Sequence, residues 1–157
     1  MRQEFTGSEV RDYAKLGAGG VSRRGIQAQM LMRTILVVDD EPMALKLVQS
    51  ILEKRGFEVL ASTSPKQAIK VFEEQGDRIE LLISDIVMPE MDGAKLASLL
   101  VGLNPELPVL FMSGFLTESE IADASAIAQY AFIRKPFRPA TLVQAVRKML
   151  TGEDESA

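Results

Sequence analysis

The chain has 157 residues, of which 46% are apolar, and 18 Lys and Arg against 22 Asp and Glu give a formal charge of −4. This length suits one globular domain with a core, and no basic block is present that would follow a nucleic-acid backbone. The complete absence of cysteine and histidine excludes disulfides, thiolate or imidazole metal sites, and Cys or Ser-His nucleophiles. No apolar run is long enough for a membrane span and no signal peptide is recognisable. We therefore expect a cytoplasmic protein without membrane insertion or direct nucleic-acid contact.

The first part of the chain differs from the rest and is predicted to be an N-terminal extension or linker, partly helical, over residues 1–32. Thr6 and Glu9 have capping-box spacing, and the later "GAGG" lacks the preceding strand and following Lys-Ser/Thr of a phosphate loop. We predict a single domain over residues 33–151 and a polar tail over residues 152–157. The tail is too short to be an output domain.

From residue 33 onward, apolar runs alternate with amphipathic segments. Five runs rich in Ile, Val, Leu and Phe predict strands that are covered on both faces: "TILVV", "FEVLA", "IELLIS", "PVLFM" and "YAFIR". Such an alternation predicts a doubly wound parallel sheet with helices on both of its faces.

Helix signals lie between these runs. One helix is predicted to start at Pro42 and a second at Pro65, behind the capping residue Ser64, and Gly56 and Gly76 are expected to mark their ends. The expected buried face of the first helix consists of Ala44, Leu47, Val48 and Ile51. The remaining helices are predicted in "GAKLASLLVGL", "ESEIADASAIA" and "PATLVQAVRKML".

Polar side chains follow four of the predicted strands at the same edge of the sheet. Asp39 and Asp40 follow the first strand, Asp85 the third, Ser113 the fourth and Lys135 the fifth. If the first and third strands are neighbours, the three acids converge and repel one another unless a cation is present. Hard carboxylate oxygens at an open site suit Mg²⁺. The pattern therefore predicts a magnesium site with a carboxylate nucleophile, beside which Ser113 and Lys135 can hold phosphoryl oxygens.

Four segments in this order, "ILVVDDEP", "LLISDIVMPEMDG", "VLFMSG" and "YAFIRKPF", resemble the signatures of two-component response-regulator receiver domains, which are CheY-like. The resemblance covers about residues 33 to 150. It implies a flavodoxin-like, doubly wound α/β fold with five parallel strands in the order 2-1-3-4-5 and five helices. The wording "VMPEMDG" and "MSGF" is similar to receivers attached to hybrid sensor histidine kinases.

The resemblance also implies a role for each polar residue of the predicted edge. Asp85 would accept the phosphoryl group, Asp40 would coordinate Mg²⁺ directly, and Asp39 would support the ion, often through water. The backbone carbonyl of Val87 would complete the protein ligands of the metal. Lys135 would supply positive charge, and the peptide bond that follows it is expected to be cis.

Switching and partners are implied in the same way. Ser113 would bond the phosphoryl group and Phe132 would repack behind it, with the readout on the face of the fourth helix, fifth strand and fifth helix. A target or a second copy, forming a homodimer, would bind there. The expected donor is a sensor histidine kinase or a histidine phosphotransfer protein, docking on Ala44, Leu45, Pro136 and Phe137. The apolar side chains of Val87 and Phe115 are expected to restrict water access to the phosphorylated site.

Two other functions remain open at this point. An aspartyl-phosphate phosphatase-type enzyme normally has a second acid two residues after its nucleophile, where this chain has Val87, so we expect no turnover of an external substrate. A phosphorylation-independent interaction module would be expected to lack one of the acids or the lysine. Ser113 could also simply satisfy a local backbone group, and Phe132 could be ordinary core.

Overall fold

The computed structural model describes residues 32–152, in which five parallel strands alternate with five helices. The strands are β1 (Thr34–Val38), β2 (Glu58–Ser62), β3 (Ile79–Asp85), β4 (Val109–Ser113) and β5 (Tyr130–Arg134). The helices are α1 (Pro42–Glu53), α2 (Pro65–Gln75), α3 (Gly93–Leu103), α4 (Glu118–Ala124) and α5 (Pro139–Thr151), with a 3-10 turn at Gly76–Arg78. The predicted extension and tail lie almost entirely outside the described residues, so the domain boundaries stay predictions.

The sheet has the order β2-β1-β3-β4-β5, which confirms the expected fold class. β1 lies in the sheet between β2 and β3, and Val38 at its end is level with Ser62 of β2 and Ser84 of β3. Parallel strands place all their carboxyl ends at one edge, so the polar residues at the carboxyl ends of β1, β3, β4 and β5 lie on the same side of the molecule.

The alternating residues of each strand supply two cores, one on each face of the sheet. Ile35 and Val37 of β1 point into the core that is closed by α1 and α5. Leu36 and Val38 point into the core that is closed by α2, α3 and α4. This two-sided burial explains why the strands read as continuous apolar runs.

The structure corrects the predicted buried face of α1. The side chains buried against the sheet are Leu45, Val48 and Leu52, whereas Leu47 is 58% exposed. The helix is thus rotated relative to the expected orientation, so that a face with spacing i, i+3, i+7 meets the sheet.

One helix end also differs from prediction, while the end of α1 is marked by Gly56 as expected. α4 ends at Ala124 rather than continuing through residue 128, because the chain tightens there into turns, with the N–H of Ile127 donating to the carbonyl of Ala124 at 3.0 Å. Gly56 (φ 90°) lies in the turn after α1, a left-handed position that favours glycine, while α1 itself ends at Glu53. Within residues 32–152, no helix has the length and apolar character needed to cross a bilayer.

Candidate functional site

Three carboxylates meet at the carboxyl edge of the sheet. Asp39 and Asp40 follow β1, and Asp85 is the last residue of the neighbouring strand β3. One carboxylate oxygen from each residue lies within 4.8 Å of the other two. Asp39 is fully buried, whereas Asp40 and Asp85 are partly exposed, so the cluster opens to solvent on one side.

Lys135 extends from the end of β5 into this acidic cluster. Its Nζ donates to Oδ2 of Asp39 at 2.8 Å and to Oδ2 of Asp85 at 3.3 Å. Its backbone N–H donates to the carbonyl of Ser113 at 2.8 Å, which ties the ends of β4 and β5 together. The Lys135–Pro136 peptide bond is cis, as the resemblance implies. Lys135 therefore links strand ends that are far apart in the sequence.

The acids differ in how their oxygens are used. Oδ1 of Asp39 accepts the backbone N–H of Glu41 at 3.0 Å and Oδ2 accepts Lys135, so both oxygens are engaged. Among the described residues, no hydrogen bond or ion pair occupies the carboxylate of Asp40. Asp40 is therefore better placed than Asp39 to bind a cation directly.

The electrostatics of the cluster follow from burial and crowding. Burial raises the pKa of the Asp85 carboxyl above its ordinary value; the Lys135 ammonium opposes this effect, and the negative charge of Asp39 adds to it. Burial by itself would lower the pKa of Lys135, but the hydrogen bonds and charges of Asp39 and Asp85 outweigh it, and the pKa lies above its ordinary value. The single ammonium group of Lys135 is thus shared between two carboxylates of the pocket, those of Asp39 and Asp85.

The segment after Asp85 forms a compact loop that ends at the start of α3. The N–H of Gly93 donates to the carbonyl of Ile86 at 2.7 Å and closes the loop, and Met88 is buried beneath it. Asp92 caps α3 by accepting the N–H of Lys95 at 2.8 Å. The backbone of Val87 lies in this loop beside the acceptor position, with its side chain 65% exposed. These contacts explain why a strand that ends in a carboxylate is followed directly by tight-turn residues.

Ser113 is buried, and its hydroxyl is engaged locally. The Oγ atom donates to the carbonyl of Phe115 at 2.7 Å and accepts the N–H of Phe115 at 3.2 Å. Ser113 thus makes the local backbone contact that was the alternative role considered for it from the sequence. A bond from Ser113 to a phosphoryl group stays a prediction. The Phe115 side chain is 77% exposed at the same edge.

Phe132 is half-buried on β5 between two other aromatic rings. Its ring centroid lies 5.7 Å from that of Phe111, with the planes tilted by 31°, and 5.7 Å from that of Tyr130, at 74°. The ring packs against the core beneath α2, α3 and α4. This placement is compatible with ordinary packing and with a switch, and the switching role stays a prediction.

One of the predicted docking residues is wrong. Leu45 is only 6% exposed and packs in the core, because it lies on the face of α1 that meets the sheet. Pro136 is exposed, while Ala44 and Phe137 are half-buried. The exposed apolar side chains of α1 are Met43 (86%) and Leu47 (58%). Their i, i+4 spacing was visible in the sequence, but only the packing of the helix shows that this face is outward.

Comparison with known proteins agrees with this architecture. Residues 35–147 match the family model of the response regulator receiver domain, and the chain belongs to this family. It is accordingly a receiver domain of a two-component system, a class of signalling module whose general role is to accept a phosphoryl group.

Individual relatives include a response regulator receiver protein and a sensor kinase. The chain is 35% identical over 120 residues to the response regulator receiver protein CpdR of Brucella abortus, covering 76% of this chain and 98% of that protein. It is 33% identical over 121 residues to the sensor kinase CckA of the same organism, covering 77% of this chain but only 13% of the kinase. The crystal structure of the receiver domain of the hybrid histidine kinase CckA aligns with a TM-score of 0.65 at 32% identity, covering 75% of this chain and 99% of that domain.

Proposed function

We propose that this receiver takes a phosphoryl group onto Asp85 from the phosphohistidine of a sensor histidine kinase or histidine phosphotransfer protein. The reaction requires Mg²⁺, and the modified domain changes conformation to control a partner. The observation that carries the proposal is the contact of Lys135 with both Asp39 and Asp85 inside one acidic pocket. A phosphoryl group on Asp85 would be adjacent to this ammonium, which can offset its negative charge.

The donor set of the pocket fits Mg²⁺, because it consists of hard carboxylate oxygens at a partly solvated site. Asp40 and Asp85 would hold the ion directly, together with the backbone carbonyl of Val87. Asp39 would act through water, since both of its oxygens already accept hydrogen bonds. When bound, the ion would neutralise negative charge in the pocket and coordinate a phosphoryl oxygen.

Asp85, Lys135 and Ser113 would carry out the transfer and bind its product. A carboxylate oxygen of Asp85 forms a bond to phosphorus as the bond between phosphorus and the donor histidine nitrogen breaks, and that electron pair stays on the imidazole. Lys135 orients the attacking carboxylate and then pairs with the transferred phosphoryl oxygens. Ser113 joins them only after its Oγ leaves the carbonyl of Phe115.

The structural change would begin at Ser113 and end at Phe132. Movement of the Ser113 hydroxyl toward the phosphoryl group changes the loop before α4, and Phe132 repacks into the space behind it. The face of α4, β5 and α5 would carry the readout to a target or to a second copy of the chain. The donor would dock beside Asp85 on the start of α1 and on the β5–α5 loop at Pro136 and Phe137.

Receiver domains are generally signalling modules rather than turnover enzymes. We expect the same of this chain, because the position that would hold a second acid in an aspartyl-phosphate phosphatase is the apolar Val87.

The test of the acceptor uses acetyl phosphate and Mg²⁺. We expect one phosphoryl group per chain by intact mass, removable with hydroxylamine, and none on Asp85→Asn. Asp77→Asn, an exposed acid in the 3-10 turn at the opposite edge of the sheet, is the matched control and should behave as wild type. Uptake by Asp85→Asn at the wild-type rate would refute the assignment.

The metal role of Asp40 is tested separately by calorimetric titration. Asp40→Ala should weaken Mg²⁺ binding more than Asp39→Asn, because it removes a direct ligand from a site with few protein donors. Unchanged Mg²⁺ affinity in Asp40→Ala would reject the direct role.

A further inference from the structure

Gly93 lies in direct contact with the backbone of the proposed acceptor. It is the first residue of α3 and is buried. A β-carbon built at this position would overlap the carbonyl oxygen of Asp85 and would lie 3.0 Å from both the carbonyl carbon of Asp85 and the α-carbon of Ile86. All three neighbours are backbone atoms, which cannot rotate away as a flexible side chain could. Only glycine allows α3 to begin this close to the end of β3.

The same carbonyl group is held on another side by Ser84. Its Oγ donates to the carbonyl oxygen of Asp85 at 2.9 Å, and the residue is fully buried. Ile86, the next residue, is fixed by two further hydrogen bonds. Its N–H donates to the carbonyl of Met112 at 3.1 Å, and its carbonyl accepts the N–H of Gly93 at 2.7 Å. The backbone of Asp85 is therefore constrained by the hydroxyl of Ser84 and by the α-carbon of Gly93.

We propose that Gly93 and Ser84 are positioning residues for the phospho-acceptor. They fix the peptide group of Asp85, and through it the direction of its carboxylate and the place of the Val87 carbonyl two residues later. Neither residue touches the reacting atoms. The proposal rests on the proposed role of Asp85 and adds the means by which the fold holds that residue in place.

The direction of the displacement in a variant follows from the packing. α3 is anchored by Leu96, Ala97 and Leu100, all fully buried, so the helix resists moving away. β3 is paired with β1 only as far as Ser84, so Asp85 at its end is paired with β4 alone and is less firmly held than the rest of the strand. A side chain at Gly93 is therefore expected to shift the end of β3 and the loop over residues 86–92, which together carry the acceptor and the proposed metal ligand.

The experiment compares two glycine substitutions in the same helix. In Gly93→Ala the new methyl group meets backbone, whereas in Gly102→Ala it would meet nothing within 4 Å in the described part of the chain. We expect Gly93→Ala to weaken Mg²⁺ affinity and to slow phosphorylation at saturating Mg²⁺ and acetyl phosphate, each by about tenfold or more. Gly102→Ala should match wild type in both and have an equal or higher Tm.

Ser84→Ala provides a milder second variant that removes one hydrogen bond. We expect roughly a twofold to tenfold loss in the same two measurements. In the metal-free protein, the NMR amide resonances of Asp85, Ile86 and Val87 should shift in both Gly93→Ala and Ser84→Ala but not in Gly102→Ala.

The outcomes separate positioning from packing. If Gly93→Ala lowers Tm but keeps the wild-type Mg²⁺ affinity and saturated rate, the glycine serves packing alone and the proposal is overturned. If Gly93→Ala does not fold, wild-type values in Ser84→Ala overturn it instead. If wild type and Gly102→Ala themselves fail to accept phosphate on Asp85, the proposed function falls, while Mg²⁺ affinity and the amide shifts still decide the positioning role.

Discussion

Asp85 is a carboxylate whose surroundings disfavour its own charge. Burial raises its pKa, and Lys135 compensates only in part while also serving Asp39. The folded protein therefore binds a proton at Asp85 more tightly than the unfolded chain does, and stability falls as pH rises through the interval between the ordinary and the raised pKa. The raised pKa of Lys135 acts in the same sense in a higher pH range, because its ion pairs contribute stability that is fully present below its ordinary pKa and is lost as pH rises through the raised value. Above the raised pKa, the cost of the ionised Asp85 carboxylate is fully present.

Asp85→Asn should therefore stabilise the protein in the absence of Mg²⁺ at neutral pH. We expect a rise in Tm of about 3 °C, since the neutral amide removes a buried charge and its repulsion by Asp39 while keeping the volume of the side chain. The difference from wild type should shrink as pH is lowered towards the ordinary pKa of a carboxyl group. Thermal unfolding followed by circular dichroism measures both effects, and a lower Tm for the variant at neutral pH would contradict this electrostatic account.

Val87, in the loop after the acceptor, and Phe115, in the segment after β4, are apolar and largely exposed at the carboxyl edge of the sheet. Hydrolysis needs a water in line with the phosphoryl bond, and neither side chain can orient or deprotonate one. A tenfold loss of rate corresponds to only about 1.4 kcal/mol of barrier. We expect phospho-Asp85 to last minutes to hours, with removal depending mainly on a partner or on back-transfer.

The change to test is the double substitution Val87→Asn with Phe115→Glu, followed by a phosphate-release assay. Decay should accelerate at least severalfold, because both new side chains can bind the attacking water. Leu103→Asn, which makes a similar change at an exposed leucine on α3, should leave the rate unaltered. A wild-type half-life of seconds, or no acceleration in the double variant, would show that these residues do not control water access.

At the scale of single elements, α1 presents two apolar faces with different uses. Leu45, Val48 and Leu52 hold it against the sheet, while Met43 and Leu47 lie one turn apart on the exposed side of the first half of the helix, which begins two residues after Asp40. The exposed pair replaces Leu45 as the expected contact for a phosphoryl donor, since a donor histidine must approach Asp85 next to the start of this helix.

For a sensor kinase that phosphorylates the wild-type chain, Leu47→Asp should slow phosphoryl transfer by about tenfold, because one apolar contact of the interface is lost. Its uptake from acetyl phosphate should be unchanged. Leu99→Asp, the same change at a leucine 49% exposed on α3, serves as the control. Leu45→Asp should instead lose the cooperative unfolding transition, because it buries an unpaired charge. Equal kinase rates for Leu47→Asp and wild type would exclude this face of α1 from docking.

At the scale of the whole molecule, the sheet connects the acidic cluster with the face of α4, β5 and α5. The backbone N–H of Lys135 donates to the carbonyl of Ser113, and Phe132 lies two residues before the end of β5 between Phe111 and Tyr130. A rearrangement at Ser113 therefore has a short physical route to the surface of β5. Phosphorylation would shift an equilibrium between two packings of this region that exists before modification.

Beryllofluoride with Mg²⁺, which mimics the phosphoryl group, should move NMR resonances at Ser113 and Phe132 and along the outer face of α4 and α5. The phosphoryl mimic can shift the equilibrium only if it binds one of the two conformations more tightly than the other, through its contacts with Ser113 and Lys135. Light scattering before and after addition would report whether a second copy uses the same face. Shifts confined to the acidic cluster would contradict long-range switching.

The sequence by itself determined the strands, most of the helices and the placement of polar residues at one edge of the sheet. These signals are local: apolar runs of strand length, the cap Ser64, and polar residues directly after a predicted strand, such as Asp39 and Asp85. Because parallel strands all end at one edge of a sheet, the convergence of the acids followed from the alternation and from β1 and β3 being neighbours. The strand order 2-1-3-4-5 itself came from the family resemblance.

Only the tertiary structure decided which atoms meet. Lys135 contacts Asp39 across 96 residues and Asp85 across 50, and the register of the sheet sets those distances. The rotation of α1, which buries Leu45 and exposes Leu47, depends on the surface that the sheet offers, since both leucines fit an apolar stripe. The contact of Gly93 with the carbonyl of Asp85 likewise exists only once α3 has packed. Local periodicity specifies which elements form, whereas the close packing of several elements at once determines the positions of individual side chains and backbone groups.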